Sequence, residues 1–327
     1  MMQKLKWLTA GESHGKGLLG ILEGIPAGLE VEEEYIAAHL ARRQKGHGRG
    51  GRMKIEEDRA EIYCGIRHGK TLGSPIGLIL PNRDWDNWKT KLSVEPVDEE
   101  VKKVTLPRPG HADLAGTQKF GFDDIRNVLE RSSARETAMR VALASVCRKL
   151  LEKVGIEIGG RVVQIHKVKD SSPIPEDTSP SQLNAIADES PVRCLHKKTE
   201  KEMIAAIDKA KQKGDSVGGI FEIIATGLPY GLGSYTHWDR KLHTRLTSTM
   251  MSINGLKGIE IGAGFDGAGR LGSETHDEIG WDGDHYIRYS NNAGGLEGGM
   301  SNSQPIIVRR AMKPISPLIK PLRSVDM

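Results

Sequence analysis

The sequence predicts an α+β fold, with helices packed on antiparallel β-sheets, on three observations. Strand-length apolar runs and helical apolar patterns follow one another without the regular spacing of a βαβ series, which speaks against a Rossmann array. The strands are short and often split by glycine, of which there are 39 in 327 residues, so the backbone bends often or approaches ligands closely. Apolar residues make up 37% of the chain, adequate for a sizeable core. No repeat of fixed period and no break in composition marks a boundary, so a single large domain over residues 1–327 is expected.

Residues 5–10 and 18–25 read as two short strands around the turn Gly11-Glu12-Ser13-His14-Gly15, a hairpin-like opening. A helix is expected at about 32–44, with glutamates in its first turn and arginines in its last, matching the helix dipole. It empties into Gly46-His47-Gly48-Arg49-Gly50-Gly51-Arg52-Met53. Strand-like runs at 60–66 and 76–80 precede a polar stretch from Asn82 to Lys103 with two tryptophans and little periodicity, expected to be a mobile surface excursion. The next strong element is a helix from Ala134 to Lys153. Ser133-Ala134-Arg135-Glu136 has the capping-box pattern, Met139, Leu143, Val146 and Leu150 form an apolar line, and Ala138, Ala142 and Ser145 form a second, small-residue face, so burial on two sides is expected. Beyond it come a strand near 156–167, a polar Ser/Pro loop at 170–182, a helix at 199–213, a strand at 219–227, a helix near 240–254 and an apolar strand at 306–308.

The net charge of +4 is small for this length, and its distribution says more than its sum. Basic residues gather at 42–54, 102–108, 131–135 and 309–323, usually beside glycine or proline, a pattern that favours pockets for small anions over a broad nucleic-acid-binding face. Cys64, Cys147 and Cys194 are an odd number without metal-ligand spacing, which argues against a disulfide framework or a metal site and for a reducing compartment. No apolar run approaches the ~20 residues needed to span a bilayer and the N-terminus lacks a signal-peptide core, so a cytoplasmic protein without membrane association is expected.

His14 and His111 stand on glycine turns, the latter within Arg108-Pro109-Gly110-His111-Ala112-Asp113. Imidazole is the side chain whose unperturbed pKa lies near neutrality, so both are candidates for proton transfer. The first turn also satisfies the G-x-S-x-G elbow of serine hydrolases through Ser13, yet an elbow needs strand, turn and helix, whereas here a strand follows. Arg42, Arg43, Arg49 and Arg52, threaded with glycines, suit a cationic loop folding over an anion; the string also has the look of a single RGG element, and a solvated charged loop is the plain alternative. Arg131-Ser132-Ser133-Ala134-Arg135 at an expected helix N-terminus suits a phosphate. The glycines of 291–300, with Lys313 beyond, would let backbone lie flat against a planar or phosphorylated ligand, with tight turns as the alternative. His166, His196 and His285 have no such setting, and Gly272–Glu278 reads as a polar turn.

Taken together, Gly11–Gly15, Arg108–Asp113, Arg131–Arg135 and Gly294–Ser301, in this order and spacing, resemble chorismate synthase over essentially the whole chain, Leu8 to Asp326. The resemblance implies a lyase that converts 5-enolpyruvylshikimate 3-phosphate to chorismate and phosphate at the end of the shikimate pathway of aromatic biosynthesis. Reduced FMN would be required without net redox change. A homotetramer, its subunit with helices sandwiched between antiparallel β-sheets, and an external flavin reductant, such as an NADPH-dependent reductase, come with it. Carried over by position, His14 would protonate the leaving phosphate with Ser13 beside it, and His111 would protonate the reduced flavin. Arg43, Arg49, Arg108 and Arg135 would meet the substrate anions. FMN contacts would fall on Arg131, Ser132, Ser133, Asn254, Gly255, Gly298, Lys313, Pro314, Ile315, Ser316 and Pro317, the last a departure from the family's usual threonine. The family pattern also continues beyond Arg323–Asp326 into a segment whose arginine and aspartate belong to the active site, so a chain ending at Met327 is expected to bind but turn over poorly.

Overall fold

The computed structural model describes residues 5–50, 56–316 and 318–327, which fall into two compact units, Met1–Leu151 with Ser316–Met327, and Glu152–Ile315. The expected mixture of helices and antiparallel sheets is present in both.

In the first unit β1 (Lys6–Gly11), β2 (Gly17–Glu23), β3 (Glu61–Cys64) and β4 (Ile76–Pro81) form an antiparallel sheet in the order β1-β2-β4-β3. The period-two alternation puts Leu18 and Leu22 of β2 with Ile76, Leu78 and Leu80 of β4 on one face. There they meet Ile36 and Leu40 of α1 (Glu33–Gln44) and Met139, Leu143 and Val146 of a long helix, Thr137–Lys153, in one core. Each such side chain contributes roughly 1.5–3 kcal/mol by burial. Gly20 makes the approach of that helix possible, since a Cβ there would lie 2.5 Å from Met139 Sδ. Ala138, Ala142 and Ser145 are buried as well, so the small-residue face is covered as its pattern predicts. The opposite sheet face keeps Leu8, Leu19 and Ile21 about half exposed or more.

Three local readings of this unit are corrected. Helices α2 (Asp113–Phe120) and α3 (Arg126–Ser132) stand where only motifs were read, and the long helix, α4, begins at Thr137 after a 3-10 turn, Ala134–Glu136. Ser133 Oγ accepts from Arg135 N, while the Glu136 carboxylate accepts from Thr9 Oγ1 and Arg140 Nε, so a tertiary partner takes the group that a capping box would turn back. Arg131 and Ser132 therefore end a helix, and the phosphate argument from a helix N-terminus does not hold for them. The start of the 82–103 stretch is anchored, through a 3-10 turn at Arg83–Asn87 and the Trp88 ring that follows it, while most of residues 89–103 lie exposed at the surface.

The second unit is a five-stranded antiparallel sheet made of β5 (Glu157–Ile165), β6 (Val168–Lys169), β7 (Gly219–Thr226), β8 (Leu256–Ile261) and β9 (Ile306–Met312), in the order β8-β9-β7-β5-β6. Helices α5 (Pro180–Asp188), α6 (Lys197–Gln212) and α7 (Leu242–Met251) accompany it. Leu242, Leu246 and Met250 of α7 pack on Leu296, Ile306 and Val308. The end of the Ser/Pro loop is a helix start instead, because Ser179 and Gln182 form a reciprocal capping box with Pro180 at the first helical position. Among the described residues no helix is long and apolar enough to cross a membrane.

Candidate active site

The turn between β1 and β2 is the most heavily braced segment of the first unit. Gly11 has φ 102, and a side chain there would run into Gly17 O, so this tight exit from the strand needs glycine. Ser13 N donates to Glu130 O at 3.0 Å and His14 N to Glu130 Oε2 at 2.8 Å. His14 Nδ1 lies 3.0 Å from both Glu130 oxygens. Ser13 Oγ donates to Ser133 Oγ at 3.0 Å, so two motifs 120 residues apart meet directly. Asn82 closes the arrangement. Its Nδ2 donates to Glu12 O and Gly15 O at 3.1 and 2.8 Å, and its Oδ1 accepts from Arg135 Nε at 3.0 Å. The Trp88 ring stacks on His14 with centroids 4.1 Å apart, and Arg126 and Lys91 lie over that indole. Buried Ser13 sits in a hairpin between two paired strands and not between a strand and a helix, which removes the hydrolase-elbow geometry.

Three arginines converge beside this turn. Arg135 is 7% exposed; its Nε is held by Asn82, its Nη1 by Asp58, and its Nη2 stands 3.5 Å from Glu56 Oε2 with no hydrogen-bond partner among the described residues. Arg43 bonds Asp58 Oδ2 at 3.3 Å, Ala134 O at 3.1 Å and Thr137 Oγ1 at 3.0 Å. Burial pushes the Arg43 guanidinium below its ordinary value against the pull of Asp58, and the charges of Arg135 and Arg49 add to the lowering. Guanidiniums that repel one another around two buried carboxylates keep spare positive charge for an anion. Arg49 itself is exposed, whereas Arg52 lies outside the described residues.

His111 has its own clamp. Asp113, fully buried at the head of α2, accepts from His111 Nδ1 at 2.5 Å and takes Arg108 Nε and Nη2 at 2.8 and 3.0 Å and Arg108 N at 3.0 Å. Burial pushes the Asp113 carboxyl up, but the Arg108 side-chain and backbone hydrogen bonds, with the charges of His111 and Arg108, hold it below the usual carboxylate range. Arg108 is thus largely occupied by Asp113. Ser316 Oγ donates to Gly110 O at 2.8 Å, which brings that predicted residue to the same loop.

The remaining predicted residues fall in three places. Arg131 donates to Thr9 O, Thr9 Oγ1 and Gly11 O, bracing the end of β1, and Ser132 Oγ donates to Leu129 O. In the second unit Lys313 N donates to Gly255 O at 3.0 Å, which joins the Asn254-Gly255 pair to the Lys313–Ile315 stretch, and Ser216 Oγ donates to Ile315 O. Gly298 sits at φ 57 in the hairpin between Leu296–Glu297 and Met300–Ser301, with no atom within 4 Å of where a Cβ would stand. Pro317 lies outside the described residues. Motif reading missed Asn82, Trp88, Glu56, Asp58 and Glu130; only Glu130, directly before the Arg131–Arg135 string, lay within reach of a flagged motif.

An imidazole backed by buried Glu130 on a turn tied to Arg135, and a second backed by buried Asp113 beside Arg108, suit an enzyme that moves protons on a small, anionic substrate. A profile of the chorismate synthase family matches residues 5–327. The chorismate synthases of Bacillus subtilis (strain 168) and Geobacillus kaustophilus (strain HTA426) are each 53% identical over 99% of this chain and 84% of their own length, and that of Geobacillus thermodenitrificans (strain NG80-2) is 54% identical over the same shares. A crystal structure of chorismate synthase superposes with a TM-score of 0.82 at 46% identity, covering 97% of this chain and 87% of the other. The chain belongs to the chorismate synthase family, and its activity is that of this lyase, the last step of the shikimate pathway.

Proposed function

We propose that the chain performs this elimination on 5-enolpyruvylshikimate 3-phosphate with reduced FMN, and that His14 is the acid for the departing phosphate. The observation that carries the reading is the His14 ring fixed on Glu130, on a turn that Asn82 ties to Arg135, whose charge in turn acts on Arg43. A substrate with two carboxylates and a phosphate needs several cations, and guanidiniums that repel each other in its absence gain most when it binds. Arg43, Arg49 and Arg135 supply the positive charge proposed to meet the substrate anions, and Arg43 and Arg108 act mainly as charge held in place by Asp58 and Asp113. Ser13 steadies the turn through Ser133.

From the family resemblance, FMN contacts are proposed at Arg131, Ser132, Ser133 and Ser316 in the first unit and at Asn254, Gly255, Gly298 and Lys313–Ile315 in the second. The residues fit such a group: at Gly298 nothing blocks the Cα face, and at Gly255, with φ 84, the nearest atom to a Cβ would be Met312 at 3.9 Å. When bound and reduced it supplies electron density to the allylic centre and recovers it, which accounts for a requirement without net redox change. His111, with Nδ1 on Asp113, presents Nε2 for the second proton-holding role, which the family resemblance directs to the flavin. The half-exposed Leu8, Leu19 and Ile21 on the outer sheet face support self-association, proposed to be a homotetramer. A cytoplasmic location and an external, NADPH-dependent flavin reductant complete the proposal; clustered rather than diffuse basic charge supports a small-molecule substrate and no nucleic acid.

The test is an absorbance titration of FMN with and without the enolpyruvyl substrate, followed by anaerobic assay of chorismate with reduced FMN. Cooperative binding of the two ligands and chorismate release are expected. Independent binding without product would contradict the proposal.

A further inference from the structure

We propose that Glu130 is the positioning residue for His14: its carboxylate fixes the imidazole with hydrogen on Nδ1, so that Nε2 is the atom that gives and receives the transferred proton. This rests on the acid role proposed for His14. Both Glu130 oxygens stand 3.0 Å from Nδ1, and Oε2 also accepts the His14 backbone N–H at 2.8 Å. An ionised carboxylate offers acceptors only, so the ring nitrogen that faces it must carry hydrogen. The Glu130 side chain is 2% exposed, which leaves little room for water to substitute for it. Its charge is answered by Arg126 Nη1 at 4.0 Å, one helical turn earlier on α3.

The ring is held on its face as well as its edge. Trp88 stacks on it at 4.1 Å, and the charged groups over that indole are Arg126 and Lys91. Turning the ring over would break the Nδ1 hydrogen bond and must swing the ring edge past the stacked indole, so one orientation persists. The imidazolium formed before proton donation keeps its Nδ1–H on Glu130, and after donation from Nε2 the same hydrogen bond remains. No rearrangement accompanies the transfer.

Glu130→Gln separates this role from packing. The variant has the same shape but one acceptor oxygen, which the His14 backbone N–H claims, and an amide NH2 at the other position; oxygen and NH2 then both face Nδ1, so the demand for hydrogen on Nδ1 made by two carboxylate oxygens is lost. The tautomer balance shifts toward Nε2–H, and the charged imidazole would meet amide hydrogens in place of a second carboxylate oxygen. A loss of about 10²–10⁴ in kcat with KM nearly unchanged is expected, as when the orienting carboxylate of a catalytic histidine is made an amide in a serine protease.

The experiment uses the full chain labelled with 15N-histidine. Long-range 1H–15N correlation reports which ring nitrogen of His14 carries hydrogen in the wild type and in Glu130→Gln, with His14 identified by its loss in His14→Ala; kcat and KM are measured anaerobically with saturating reduced FMN. Hydrogen on Nδ1 in the wild type, a shift toward Nε2 in the variant and a fall in kcat alone support the proposal. Hydrogen on Nε2 in the wild type overturns it even if the variant fails to fold, and so does a shifted tautomer with unchanged kcat while His14→Ala is inactive. Retained turnover in His14→Ala would remove the acid role and leave the tautomer measurement to judge Glu130 by itself.

Discussion

His14 and His111 rest on the same device, a buried carboxylate at Nδ1, reached by opposite routes. Asp113 lies two residues after His111 and is pinned by Arg108, so that clamp is complete within one hexapeptide. Glu130 lies 116 residues from His14, and the clamp exists only because β1, β2 and α3 are docked, with Asn82 tying the turn to Arg135. A clamp closed by a short loop orders few residues and survives local loosening, whereas one closed by tertiary packing fails with the packing. The His14 site is accordingly the one that mutations far away in sequence can disable.

The largest effect expected is on chemistry. His14→Ala should lower kcat by about 10²–10⁴ or more while FMN affinity, measured by flavin absorbance, stays near the wild-type value. An equal loss in flavin binding would break the separation between the two histidine sites.

Next in size is Asp113→Ala, which leaves the partly exposed Arg108 and His111 without their buried partner and should cost about 1–3 kcal/mol in urea unfolding at neutral pH. Because the Asp113 carboxyl is depressed in the folded chain, its stabilisation is present above the unfolded value of about 3.9 and is lost as pH falls through the lower folded value. The wild-type advantage over Asp113→Ala should therefore persist at pH 5 and shrink only below about pH 4. A difference already gone at pH 5 would mean that the carboxyl is not depressed.

Asn82→Ala is expected to cost roughly 1–3 kcal/mol of stability, because it leaves Glu12 O, Gly15 O and Arg135 Nε without their partner. It should also lower kcat with little change at His111. Arg49→Ala, on an exposed loop, should weaken the substrate by about 1.5–3 kcal/mol in calorimetry and the flavin far less. The smallest effect sharpens the comparison. His285 also has a carboxylate at Nδ1, Asp282 at 3.1 Å, but the imidazole is 63% exposed, so His285→Ala should leave both turnover and the melting midpoint where they were.

Legibility in the sequence followed the same division. The Arg108–Asp113 clamp could be suspected from adjacent residues, and the sheets and long helices followed from period-two and helical apolar patterns such as Leu18–Leu22 and Met139–Val146. Helices α2 and α3, of eight and seven residues, are too short for periodicity to announce them. The start of α4 was misplaced because Glu136 prefers Thr9 and Arg140 to the cap, a choice set by a strand more than a hundred residues earlier. Trp88 and Asn82 sit in a polar stretch without pattern, where only the folded chain reveals a ring on His14 and an amide under the turn. The capping box at Ser179–Gln182, by contrast, was there to be read.

Whether the distant carboxylate acts through the histidine is decided by a double-mutant cycle on kcat, with wild type, His14→Ala, Glu130→Gln and the pair assayed anaerobically at saturating reduced FMN. If Glu130 serves only to orient His14, the double variant is no slower than His14→Ala, so the substitution at 130 has no effect once the imidazole is gone. Losses that multiply, with Glu130→Gln slowing His14→Ala as much as it slows the wild type, would contradict the account.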